Sequence, residues 1–268
     1  MTSGSKLLEV ARWAERRIGT KRAAPHYYSL VYRFAPRLGV SCFNFGYADS
    51  ALADLPEGPE PYQLELYRQV ALAAGRDVLR GGCVLEISSG LGGGLAFVAK
   101  TFAPRLCVAL ERAMPAVSSA RRRLGLIAVQ GDAEDLRLPD AAFDVVLNVE
   151  ASHVYYGPAF LAEVARVLRR GGIFAIADSR SMSPAAAEQW LRDDFEQSGL
   201  ALRSFRDITS NVAAACELDD PRREAILAKL PYPLRGLLRT MLGGVTTPNY
   251  AQLKTGRGVY FIATAERQ

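Results

Sequence analysis

Histidine is nearly missing from this chain: 268 residues hold only two, His26 and His153. Chemistry that needs an imidazole base therefore has few places to go, and no metal site is expected. Cysteine is sparse as well. Cys42, Cys83, Cys107 and Cys216 are scattered, with no Cys-x-x-Cys pair and no regular framework. That excludes a disulfide scaffold and reads as reduced, mostly buried thiols in a cytoplasmic setting. No apolar run approaches the roughly 18 residues of a membrane span. The opening MTSGSKLLEVARWAERR lacks the apolar stretch and cleavage site of a secretory signal, so export is not expected. Internal repeats and low-complexity tracts are missing too.

What the chain does have is an ordinary globular composition, 49% hydrophobic and 23% charged, which excludes global disorder. Its length sits near the upper end of what one hydrophobic core organises, so one α/β domain with an accessory segment is the economical expectation. The net charge is +5. Arginine clusters at 16–17, 121–123, 169–170 and 222–223 fall mostly at the ends of predicted helices, where cations complement the helix dipole and stay solvated. Without aromatic interleaving or a recognition motif, they do not point to a nucleic-acid partner.

Residues 82–178 alternate short apolar runs with helical patterns, the signature of parallel strands joined by crossover helices. Strands are predicted at 83–88, 106–111, 126–130, 143–149 and 172–178, with helices at 93–102, 115–124 and 158–168. Right-handed crossovers place helices on both faces of an open, doubly wound sheet, and such sheets bind ligands at the carboxyl ends of their strands where strand order reverses. Further on, 185–198 reads as a helix, and 200–207 and 258–265 as strands. Residues 208–242 are too many for a plain connection. The run Asp219-Asp220-Pro221 predicts a helix start there, with Pro231 and Pro233 at its end, giving a helical insertion able to roof the site. Residues 5–17 and 62–80 are also predicted helical.

The segment VLEISSGLGGG, residues 84–94, is a buried strand running into a glycine-rich turn and then a helix. Gly90, Gly92 and Gly93 permit positive φ and close approach of a ligand, and helix-start amides face the same space. A tight strand-to-helix turn alone would look the same. Three acids narrow the choice. Glu86, near the end of the first strand, suits a cationic amine and would repel a pyrophosphate, which disfavours a nicotinamide dinucleotide. Glu111 ends the next strand, about 20 residues past the turn, where an acid holds ribose hydroxyls. Asp132, in VQGDAEDL, is placed to accept from an adenine amine. Each acid alone reads equally well as a helix cap or a solvated turn.

Taken together, VLEISSGLGGG, VALE, VQGDAEDLRLPDAAFDVVLNVEASH and FLAEVARVLRRGGIFAIAD resemble the class I S-adenosylmethionine-dependent methyltransferases, in the branch that modifies bacterial polyketides, glycolipids and sugars. The resemblance covers residues 44–263. It implies a Rossmann-like seven-stranded sheet with an antiparallel last strand, N-terminal helices and a helical cap inserted before that strand. The implied layout is a single domain, 1–268, with an N-terminal lid segment (1–80), a cofactor-binding core (81–207), a cap (208–252) and a final strand (253–268). The cofactor is S-adenosylmethionine, leaving as S-adenosylhomocysteine. By resemblance the turn around Gly90 and Gly92 cradles the methionine part, Glu111 holds the ribose, and Asp132 with Ala133 flanks the adenine. Arg112 and Asn148 join the cofactor set. Ser88 stands where most of the class has glycine, a tolerated variant. FNFGY is similar to an Asn-x-Gly-Tyr stretch that folds over the cofactor, which adds Asn44, Gly46 and Tyr47. The tail RDITSNVAAACELDDPRREAILAKLPYPLRGLL is similar to the cap of the phthiotriolone-type and macrolide O-methyltransferases.

Methyl transfer to oxygen needs a proton acceptor. His153, in EASH just past the fourth strand, is the candidate base, and Asp178, ending the adjacent strand, is its candidate support. His26 reads as structural. Glu150 is a third catalytic candidate, or a ligand of acceptor or cofactor, and Ser152 a turn cap. Tyr27, Tyr28, Tyr32, Phe43, Phe45, Tyr155 and Tyr156 either wall an apolar acceptor pocket or belong to the core; Tyr28, Phe45, Tyr155 and Tyr156 are the acceptor-binding candidates. The preferred reading is O-methylation of a small, largely apolar natural product. C-methylation of an isoprenoid, including a prenyl diphosphate, and a cofactor-binding cyclase stand as alternatives. Oligomeric state is left open.

Overall fold

The computed structural model of the protein describes residues 29, 31–51, 54–230 and 232–268. The predicted helix at 5–17, and His26, Tyr27, Tyr28 and Pro231, lie outside them. In chain order the main elements are α1 (Pro61–Ala74), β1 (Cys83–Ile87), α2 (Gly93–Phe102), β2 (Leu106–Glu111), α3 (Met114–Leu124), β3 (Ile127–Gln130) and β4 (Phe143–Val149). There follow α4 (Pro158–Val167), β5 (Leu168–Arg180), α5 (Pro184–Gln197), β6 (Leu200–Asp207), α6 (Thr209–Ala228), α7 (Tyr232–Leu242), α8 (Pro248–Lys254) and β7 (Val259–Arg267). The strands form one seven-stranded sheet in the order β3-β2-β1-β4-β5-β7-β6. Neighbours from β3 to β5 are parallel, and β7 runs antiparallel to both β5 and β6.

Period-two alternation sorts the sheet into two cores. In β1, Val84 joins Leu66 and Val70 of α1 and Leu95 and Val98 of α2 on one face. Leu85 and Ile87 meet Phe160 and Val164 of α4 and Leu191 and Phe195 of α5 on the other. Each fully buried Leu, Ile or Phe contributes about 1.5–3 kcal/mol to keeping the layers together. From β1 the chain steps outward to β2 and β3, then returns to place β4 on β1's other side. The switch point therefore lies between the carboxyl ends of β1 and β4, which is where a crevice opens.

Two predicted boundaries need correcting. Pro221 does not start a helix: α6 runs continuously from Thr209 to Ala228 with Pro221 inside it. Asp219 is not a cap but is drawn into ion pairs with Arg222 and Arg223. Packing of Val212, Ala215 and Cys216 before the proline and of Ile226 and Leu227 after it holds both halves in line. β5 is also longer than predicted, because antiparallel pairing with β7 extends to Arg180↔Val259 and parallel pairing with β4 starts at Phe143↔Leu168.

The insertion does form a cap. Ile226, Leu227, Leu238 and Leu242 pack with Val31, Tyr32, Ala35 and Val40 of the N-terminal segment, with Leu91 of the turn after β1 and with Ala116 of α3. Arg223, fully buried, pairs with Asp219 and donates to the Phe45 carbonyl at 2.7 Å and to the Gly243 carbonyl. The cysteines are free, Cys107 half-buried and the other three buried. Among the described residues no helix is long and apolar enough to cross a membrane.

Candidate active site

Above the switch point lies a cavity of about 250 Å³. Ser88, Ser89 and Gly90 line it from the β1 turn, Glu111, Arg112 and Ala113 from the end of β2, and Asp132 and Ala133 from beyond β3. Glu150, His153 and Tyr155 close it from the end of β4, Tyr32, Cys42, Phe43, Asn44 and Phe45 from the N-terminal segment, and Thr240, Met241 and Asn249 from the cap.

The turn after β1 leaves the strand at Ser88, which adopts φ 59°, and Glu150 at the end of β4 adopts φ 52°. Two non-glycine residues in left-handed conformation, one on each strand of the switch point, mark backbone held against its preference. Gly90 lines the cavity. Gly92 does not. Its φ of 84° makes the turn, and a Cβ there would lie 2.8 Å from Leu126 Cδ1, just past α3, and 3.2 Å from Ala120 Cβ of α3, so it serves the packing of α2 against α3 and the Leu126 side chain beyond it.

Glu111 is buried, and its carboxylate accepts N–H bonds from Gly90 at 3.0 Å and Ala113 at 2.9 Å. Burial raises its pKa while these amides pull it back, and they fix the carboxylate at the cavity wall. Asp132 and Arg112 form a looser pair, 3.9 Å apart, both well exposed at the mouth. Glu86 lies behind the lining. It is buried, its Oε1 accepts from the Tyr67 hydroxyl at 2.6 Å, its Oε2 has no hydrogen-bond partner, and burial raises its pKa to about 7.

The register of β4 and β5, Val149↔Ala177, brings His153 beside Asp178. Asp178 is fully buried and accepts from the His153 N–H at 2.9 Å, the Ser152 hydroxyl at 2.5 Å and the Ser179 N–H at 2.8 Å. Arg180 stands 3.3 Å away. Burial alone would raise the Asp178 carboxyl, but His153, Arg180 and Ser152 hold it well below the usual range. His153 Nδ1 is 3.1 Å from Asp178 Oδ1. Burial lowers the imidazole pKa, the Asp178 carboxylate raises it, and the carboxylate wins. With Asp178 ionised, Nδ1 keeps the proton and Nε2 is left as the acceptor.

Glu150 is differently placed. Its Oε2 accepts from the Phe45 N–H at 2.8 Å and the Tyr260 hydroxyl at 2.7 Å, and burial pushes its pKa to about 8.

Besides Gly92, and the Glu86 and Asp178 carboxylates behind the lining, Asn148, Tyr47, Gly46 and Tyr156 do not line the cavity. Asn148 is fully buried, and its Nδ2 donates to the Ile87 carbonyl and the Tyr155 hydroxyl. It thus joins β4 to β1 and orients Tyr155. Tyr47 turns away because Gly46, at φ 86°, folds the chain against Tyr62; its hydroxyl reaches Asp49 and its ring lies under Arg206. Gly46 itself does not line the cavity. Tyr156, past the short 3-10 turn Ser152–Val154, packs 4.5 Å from the Trp190 ring and against Phe160 rather than into the cavity. Tyr67, Cys42 and the cap residues were not singled out from the sequence. Tyr67 sits at helical spacing among Gln63, Leu66 and Val70, so it reads as core.

A family model described as a methyltransferase domain matches residues 85–176. The chain is 37% identical over 237 residues to a probable phthiotriol/phenolphthiotriol dimycocerosates methyltransferase of Mycobacterium ulcerans, covering 85% of this chain and 90% of that protein. It is 41% identical over 192 residues to a fatty-acid O-methyltransferase of Mycolicibacterium smegmatis, covering 67% and 69%. The chain belongs to the class I S-adenosylmethionine-dependent methyltransferases. The crystal structure of the [4+2]-cyclase SpnF shares the fold, with TM-score 0.68 at 21% identity, covering 91% of this chain and 95% of that one.

This methyltransferase uses S-adenosylmethionine as its cofactor. The donor set fits it: a buried carboxylate oxygen without a partner at Glu86 suits a cationic amine, and the fixed Glu111 carboxylate suits a pair of hydroxyls.

Proposed function

We propose that the protein transfers a methyl group to a hydroxyl oxygen of a small, largely apolar natural product, with His153 as general base. The observation that carries this reading is the His153–Asp178 pair at the cavity wall, with Nδ1 engaged and Nε2 open to accept a proton. The cofactor supplies an electrophilic methyl group and a neutral thioether leaving group. As the acceptor oxygen bonds to the methyl carbon and the carbon–sulfur bond breaks, the hydroxyl proton passes to His153 Nε2. Asp178 then stabilises the imidazolium.

In the same reading Glu86 receives the cofactor's ammonium, Ser88 and Gly90 flank the methionine part, Glu111 takes the ribose hydroxyls, and Asp132, Ala133 and Arg112 bound the adenine. Holding both partners aligned is worth about 7–11 kcal/mol of barrier. Phe43, Phe45, Val149, Tyr155 and Met241 line the cavity with apolar surface, which supports an apolar acceptor. The lipid and fatty-acid substrates in the relatives' names support the same class.

The test is incubation with methyl-labelled cofactor and a panel of long-chain alcohols, hydroxylated polyketides, phenols, fatty acids and prenyl diphosphates, with mass analysis of the labelled atom. Label on a hydroxyl oxygen of an apolar acceptor is expected. Label on carbon of a prenyl diphosphate, or conversion of an acceptor without methylation, would overturn the reading.

A further inference from the structure

The alternation of β1 sends Val84 and Glu86 to the face covered by α1 and α2, so a carboxylate enters a layer otherwise made of Leu66, Val70, Leu95 and Val98. A buried carboxylate there needs partners. Tyr67 of α1 provides one, its hydroxyl donating to Glu86 Oε1 at 2.6 Å, while Oε2 has none. The approach depends on glycine at position 94: a Cβ there would lie 1.9 Å from Tyr67 Cζ and 2.1 Å from Cε2. The third glycine of the GGG run therefore seats the tyrosine ring rather than a ligand. The same ring forms part of the cavity wall.

We propose that Tyr67 is a positioning residue of the cofactor site, its hydroxyl occupying one oxygen of Glu86 and thereby presenting the other to the α-ammonium of S-adenosylmethionine. This rests on the reading that the amino-acid end of the cofactor lies beside Glu86. It has a consequence in protons. Burial raises Glu86 to about 7, the Tyr67 hydrogen bond draws it down, and the Glu111 carboxylate on β2 pushes it up. The other titratable groups around it, the Cys42 thiol of the N-terminal segment and the Cys107 thiol of β2, are raised by burial, Cys42 well above its ordinary value and Cys107 to about 12, and stay neutral. Near neutral pH a share of the ligand-free protein thus carries a protonated Glu86, which offers no charge to an ammonium. Binding of the amino-acid end releases that proton to the buffer.

Calorimetric titration of the full chain tests this with two probes, S-adenosylhomocysteine and 5′-methylthioadenosine, the second lacking the amino-acid end. Measured at about pH 6.5 in buffers of different ionisation enthalpy, the wild-type protein is expected to release protons with the first probe and none with the second. Tyr67→Phe keeps the ring against Gly94 and removes only the hydroxyl. It is expected to weaken S-adenosylhomocysteine about tenfold at that pH, leave methylthioadenosine within about twofold, and move the rise of affinity with pH to higher pH. Equal weakening of both probes, or unchanged affinity for S-adenosylhomocysteine, overturns the proposal. Glu86→Gln separates the two levels. If it leaves S-adenosylhomocysteine binding intact, the placement of the amino-acid end fails; if it weakens that binding while Tyr67→Phe does not, only the role of Tyr67 fails.

Discussion

Two acidic residues close to His153, the proposed base, end up in opposite protonation states, and environment alone separates them. Asp178 has cationic and hydroxyl partners and stays ionised despite full burial. Glu150 has one amide and one phenol on a single oxygen, and burial carries it to about 8. A neutral carboxyl is a poor proton acceptor, so in the proposed reaction the proton goes to His153 rather than Glu150. Because the folded value of Glu150 lies above the ordinary 4.5, folding favours its protonated form. That contribution is whole below the ordinary value and fades as pH rises through about 8. Denaturant unfolding of Glu150→Gln, which keeps an acceptor for Phe45 and Tyr260, should lose on the order of 2–4 kcal/mol less stability than wild type between acid and mildly alkaline pH. Parallel pH curves for the two proteins would contradict the assignment. The acids at strand ends were legible because strand and turn fix where position 86, 111 or 132 must fall. Tyr67 was not, since helical spacing makes an aromatic on that face look like core until its hydroxyl needs a partner.

Among the elements, β1, β2 and β4 were readable almost to the residue, being short apolar runs bounded by glycine, proline or charge. β5 was underestimated because its extra residues are set by partners that local pattern does not register: Leu168 pairs with Phe143 of β4, and Ser179 and Arg180 pair with Tyr260 and Val259 of β7. The cap shows tertiary packing overriding a local rule. Proline inside a helix removes one backbone hydrogen bond and crowds the preceding turn, yet α6 continues through Pro221. Pro221→Ala is therefore expected to raise stability by about 1–3 kcal/mol, read as a higher thermal midpoint. A helix that began at Pro221 would lose a favourable first-turn residue instead, and a lower midpoint would contradict the continuous helix.

At the scale of the molecule, one topological event organises the site. Reversal of strand order between β1 and β4 sets the glycine-rich turn opposite the EASH segment, and their two strained residues, Ser88 and Glu150, face the same cavity. The N-terminal segment and the cap close over it, joined by Arg223 between the carbonyls of Phe45 and Gly243. The parallel, doubly wound part of the sheet was legible from the alternation of elements and the antiparallel last strand from the family resemblance, whereas the joining of two covers through one buried guanidinium was not, because its partners lie 178 and 20 residues away in sequence. The most direct test of the whole arrangement is the pH–rate profile of methyl transfer in wild type and His153→Gln, with S-adenosylhomocysteine affinity measured alongside. The account predicts a wild-type rate that climbs with pH through an apparent pKa above the ordinary histidine value of 6.5. It also predicts a variant slowed about 10²–10⁴-fold that has lost that climb and still binds S-adenosylhomocysteine. A His153→Gln protein that keeps both the rate and its pH dependence would contradict it.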